Sequence, residues 1–112
     1  MPLVPNTWEK AMKIVTVAYP NNGRQLKRLI ISILKQNLAT CVQRMNYMKS
    51  YYIWQWELVR REEKKVVMKT TADRLERLVQ FIQKQHPYDA PEIIIQDVEM
   101  VEEKYLGWIQ GE

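Results

Sequence analysis

Four things are scarce in this chain, and each scarcity narrows its class. There is one cysteine, Cys41, so no disulfide can form within the chain. Small secreted domains usually rely on such staples, so a reducing compartment, the cytoplasm, is the expectation. There is one histidine, His86, and with it little room for imidazole-based acid–base chemistry. Glycine is confined to Gly23, Gly107 and Gly111, so most breaks between elements must come from other residues. No apolar run approaches the ~20 residues needed to span a bilayer. Met1 to Lys10 also lacks the apolar core of a signal peptide and is expected to be a flexible arm, with residues 11–112 forming one domain.

What is present fits one folded domain. The chain has 112 residues, 46% hydrophobic and 27% charged, with a net charge of +4. Basic residues are interleaved with acids, as in Arg60–Arg61–Glu62–Glu63–Lys64–Lys65, which reads as a solvated face rather than a phosphate-tracking groove.

The periodicities alternate in type. Ala11 to Tyr19 is β-branched and predicts a strand ended by Pro20. Asn21–Asn22–Gly23 offers a turn and a cap for a helix from Gln25 to Gln36, where Leu26, Leu29, Ile30 and Ile33 share one face. Asn37 is its stop signal. Ala39 to Gln55 predicts a long strand and Glu57 to Thr70 its antiparallel return. Thr70 or Thr71 caps a second helix carrying Leu75, Leu78, Val79 and Ile82, which ends at His86–Pro87. Pro91 to Val98 predicts a fourth strand and Glu102 to Gln110 a short last helix. The order β-α-β-β-α-β is the ferredoxin-like split βαβ arrangement, an α+β sandwich with a long central hairpin and a short C-terminal helix.

That hairpin poses a packing problem. Five of the ten residues from Tyr47 to Trp56 are aromatic: Tyr47, Tyr51, Tyr52, Trp54 and Trp56. Strand side chains alternate between faces, so both faces carry large apolar groups. Leaving them wet would forfeit roughly 1.5–3 kcal/mol for each large side chain. Another copy of the chain is the simplest cover, and these five residues are the expected subunit interface.

Several ordered segments carry a resemblance. Leu38–Ala39–Thr40–Cys41–Val42, the Ser50-x-Tyr52-x-Trp54 strand, Lys69–Thr70, His86–Pro87–Tyr88 with Pro91–Glu92–Ile93, and Tyr105–Leu106-x-Trp108–Ile109 together resemble the CutA, or divalent-ion tolerance, family. The resemblance covers nearly the whole chain, from about Ile14 to Ile109. It implies a ferredoxin-like homotrimer in the cytoplasm, joined through long hairpins, with a link to tolerance of copper and other divalent cations. It also implies that the turn after the second helix lies near a subunit boundary. Trp56 stands where the family usually has Gly, Asn46 where Pro is common, and Val101 where a Gly precedes the last helix. Some members have a proposed copper site of one Cys and a His-His pair; here those positions are Val17 and Gln85–His86.

The candidate functional residues follow. His86 and Cys41 are the candidate copper or zinc ligands. Each has a structural alternative: a helix-ending imidazole bonded to backbone, and a small buried thiol. Lys69, Tyr88, Asp89, Glu92 and Trp54 are candidates to line a small-ligand cleft. Three functions compete: a divalent-cation tolerance trimer that binds Cu or Zn weakly; a regulatory or scaffolding trimer that takes a small molecule, like PII signalling proteins; and an RNA-binding module. The last needs stacking aromatics on central strands, where Val66, Val67 and Met68 stand instead. No catalytic residues are expected, because no nucleophile–base or paired-acid arrangement is evident.

Overall fold

The computed structural model describes residues 2–6, 8 and 10–111. Nine elements follow in order: β1 (Leu3–Pro5), β2 (Met12–Pro20), α1 (Gly23–Lys35), β3 (Cys41–Trp54), β4 (Glu57–Thr71), α2 (Ala72–Gln85), β5 (Ile93–Asp97), β6 (Met100–Glu102) and α3 (Glu103–Ile109). Four strands make one antiparallel sheet in the order β3-β4-β2-β5. The split βαβ arrangement is therefore present, with a two-stranded sheet, β1-β6, added to it.

Alternation along β2 divides the core into two parts. Val15, Val17 and Tyr19 face α1 and α2, joining Leu26, Ile33, Val66, Met68, Leu78 and Ile82 in the main apolar cluster. Met12 and Ile14 point the other way, into a smaller cluster closed by Val101, Leu106 and Ile109. The helices sit where their stripes dictate. Asn22 caps α1, its side chain accepting from the Gln25 amide at 3.3 Å. Asn37 takes φ 56° beyond the helix, and the Leu38 amide returns to the Ile33 carbonyl at 3.0 Å.

Thr71 precedes α2 but makes no side-chain bond to the helix amides. Its hydroxyl donates instead to the Asp73 carboxylate and accepts from Arg74 Nε at 2.9 Å. Buried Arg74 also donates to the Asn37 side chain (3.0 Å), Thr40 Oγ1 (2.9 Å) and the Ile109 carbonyl (2.9 Å). One guanidinium thus ties together the ends of α1, β3 and α3.

The flexible arm expected over residues 1–10 is corrected in part. Leu3, Val4 and Pro5 pair with Glu102, Val101 and Met100. Asn6 fixes this sheet to the domain, donating to the Met12 and Val98 carbonyls at 2.9 and 2.8 Å and accepting from the Met12 amide at 2.7 Å. Residues 1, 7 and 9 of that segment lie outside the described residues.

The β3–β4 hairpin outreaches the helices. Its register breaks between Met45 and Met48, then runs unbroken from Met48↔Glu63 to Trp54↔Glu57. The molecule measures 47 × 26 × 22 Å, with a radius of gyration of 15.4 Å. A compact chain of this length would have about 13 Å, so the hairpin stretches it. At the tip, Gln55 and Trp56 take φ 50° and 71°, the two left-handed positions of a two-residue hairpin turn. Glycine suits the second position; Trp56 holds it here at the steric cost of a side chain.

Candidate functional site

The turn after α2 builds the site. Pro87 forces His86 out of the helix, with φ −76° and ψ 134°. The imidazole folds inward, 8% exposed, and stacks on Tyr19 at 4.7 Å. The Tyr88 amide donates to Nδ1 at 3.1 Å. Because Nδ1 accepts, the proton is on Nε2, which donates to the Ala18 carbonyl at 2.7 Å. Both nitrogens are occupied by backbone partners.

Tyr88 continues from this anchor. Its ring lies 4.9 Å from His86, with the Arg61 guanidinium 5.0 Å from its centroid. Its hydroxyl donates to Glu63 Oε2 at 3.3 Å. Burial, chiefly, raises the Tyr88 phenol above its ordinary range; Glu63 adds to this and Arg61 opposes it.

Outward of Tyr88 lies a cleft of about 920 Å³ between the turn and the hairpin. Of the sequence candidates, Trp54, Tyr88, Asp89 and Glu92 line it, together with Tyr51 and Tyr52. Lys69 does not join them. It pairs with Ile14 and Cys41 inside the sheet, and its ammonium lies 5.2 Å from the Tyr105 ring centroid. Sequence reasoning missed Arg61 and Glu63. The alternation of β4 was the available signal, since both share the face of Val59, which also lines the cleft. Three carboxylates and one guanidinium surround aromatic faces there, an arrangement suited to a small organic cation.

The two candidate metal ligands are not brought together. Cys41 is half-buried and packs against the smaller core cluster. It pairs with Lys69, whereas Ala18, which holds His86, pairs with Lys65. Four residues along β4 separate these points, about 13 Å at ~3.3 Å per residue. Val17, at the other proposed copper position, is fully buried among apolar side chains, and Gln85 is exposed. Among the described residues, no group of three His, Cys, Asp or Glu side chains is disposed to hold an ion. The chain's own His86 and Cys41 do not fit a copper or zinc centre.

Of the residues expected at a subunit interface, Tyr47 and Trp56 are 100% and 97% exposed. Tyr51 and Trp54 are also exposed, as are Ile53 and Leu58 beside them. Tyr52 is the most covered of the set.

The comparisons with known proteins agree on one family. Residues 13–112 match the family described as CutA1 divalent ion tolerance protein. The divalent-cation tolerance protein CutA of Pectobacterium atrosepticum is 31% identical over 85 residues, 76% of this chain and 77% of that one. Among solved structures, CutA1 from Oryza sativa superposes with a TM-score of 0.81 at 31% identity, covering 88% of this chain and 90% of its own. CutA from Synechococcus elongatus does so with a TM-score of 0.85 at 25% identity, covering 97% and 93%. The chain thus belongs to the CutA1 divalent ion tolerance protein family.

Proposed function

We propose that this chain acts in divalent-cation tolerance as a cytoplasmic homotrimer, by binding rather than by catalysis. The observation that carries the assembly is the bare hairpin. Tyr51, Ile53, Trp54 and Leu58 are each more than 60% exposed in the single chain. Apolar patches of this kind mark association surfaces. The lone Cys41, with no possible disulfide partner in the chain, supports the cytoplasm.

The role in tolerance does not run through a His86–Cys41 metal centre. His86 serves instead as a post that holds Tyr88 at the cleft. A second reading rests on that cleft: a trimer that responds to a small organic cation, with Glu63, Asp89 and Glu92 supplying charge and Tyr52 and Trp54 the aromatic faces.

Native mass spectrometry, with and without stoichiometric Cu(II) or Zn(II), tests the first reading beside His86→Ala. The expected result is a trimer whose metal uptake is the same in both proteins. A monomer would overturn the assembly. A defined number of ions, lost in the variant, would overturn the assignment of His86 as a structural post.

A further inference from the structure

The helical side of the sheet carries a second cavity, of about 440 Å³, between α1 and the C-terminal end of α2. Tyr19, at the end of β2, forms part of its wall. Its ring is 4% exposed and held in place by stacking on His86. Its hydroxyl is buried and has no hydrogen-bond partner among the described residues. A buried phenol left unpaired is unfavourable, and native structures rarely tolerate one without a reason. Burial holds this phenol far above its ordinary range, so it stays a proton donor in need of an acceptor.

The remaining wall says which acceptor. Among the described residues no carboxylate lines the cavity, and Arg28 is its one charged side chain. Arg28 is exposed and makes no ion pair among the described residues. Leu29 and Phe81, both half-buried, give the cavity an apolar side. We infer that this cavity is a binding site for a small organic carboxylate: its oxygens accept from the Tyr19 hydroxyl and from Arg28, and its apolar body lies against Leu29 and Phe81. One guanidinium and one phenol match a single negative charge, whereas a phosphate dianion would ask for more donors. The hydroxyl is closed to water in the free chain, so a side chain of the cavity wall must shift before a carboxylate oxygen reaches it, a rotamer motion fast on the scale of binding.

The site shares only Pro87 with the hairpin cleft among their lining residues and is opposite to it in charge preference. The test uses the full chain, titrated with hexanoate and phenylacetate and followed by amide chemical shifts. Hexylammonium and phenyl phosphate serve as comparison arms, and Tyr19→Phe and Arg28→Glu as variants. The expected result is saturable shifts confined to Tyr19, α1 and the end of α2. Hexylammonium should give none there, and phenyl phosphate weaker ones. Each variant should bind the carboxylates about tenfold more weakly or worse, since each loses a charge-assisted hydrogen bond. Ligand-free Tyr19→Phe should melt no lower than the parent, because its hydroxyl has no partner to lose. The inference is overturned by an absence of saturation, by shifts centred on the hairpin cleft, by equal or tighter binding of the ammonium or the phosphate ester, or by undiminished affinity in both variants. A lower melting point for Tyr19→Phe would also count against it, by showing that the hydroxyl is already paired.

Discussion

Arg74 and His86 show how much of this fold rests on single polar side chains doing structural work. Desolvation is the main influence lowering the Arg74 guanidinium from its ordinary range, with Arg77 adding to it and Asp73 opposing it. Its hydrogen bonds reach Thr71, Asn37, Thr40 and the Ile109 carbonyl, which offset that penalty. Replacing it with Met keeps the aliphatic stem but removes the donor to Thr71, Asn37 and Thr40, while the Ile109 carbonyl keeps the Thr40 hydroxyl. Arg74→Met is therefore expected to lower unfolding stability by about 2–4 kcal/mol in urea titration, given ~1–3 kcal/mol for each buried polar group left unpaired and partial rescue by water. Such roles are hard to read from a sequence. The partner of His86 Nε2 is a carbonyl 68 residues earlier, which no local pattern announces. The His-Pro-Tyr segment marked a special position, but not whether its imidazole faced an ion or the backbone.

Elements were legible in proportion to their periodicity. β2, α1 and α2 carry strong apolar patterns, and their observed bounds lie within two residues of expectation. β1 and β6 were not legible. Each has three residues, one contains a proline, and their pairing joins positions nearly a hundred residues apart. The break near Met45 was equally hidden, since it depends on the register of β4. For the cleft, Tyr88, Asp89 and Glu92 stood in one recognisable segment. Arg61 and Glu63 were lost in a run that reads as ordinary solvated charge, until the strand register aimed them at Tyr88. The hairpin tip offers a test at this scale. Gln55 sits at the first left-handed position of the turn, where Asn is tolerated far better. Gln55→Asn is expected to stabilise the chain by a few tenths of a kcal/mol, about 0.5 at most, read as a small rise in thermal midpoint with unchanged assembly. An unchanged or lower midpoint would show that the turn's geometry is imposed from outside the hairpin.

At the scale of the whole molecule, the shape itself argues for assembly. A 47 Å long axis on 112 residues leaves the hairpin's two faces with different tasks. One face, with Tyr52, Trp54 and Arg61, looks into the cleft. The other presents Ile53 and Leu58, paired with each other across the strands and absent from the cleft wall. Charging only the second face separates assembly from the cleft. If copies of the chain cover it, Ile53→Lys combined with Leu58→Lys removes two apolar side chains worth roughly 1.5–3 kcal/mol each when buried. It also places unpaired ammonium groups in the contact. The double variant is expected to run as a monomer in sedimentation at concentrations where the parent is a trimer. Its far-ultraviolet circular dichroism should be unchanged, because both residues are exposed in the single chain. A variant that stayed trimeric would move the interface off this face and onto the cleft side, where Trp54 and Tyr52 would then be partner contacts rather than ligand contacts. Dissociation with an intact fold would leave the cleft free for the small-cation reading and make its dependence on assembly directly measurable.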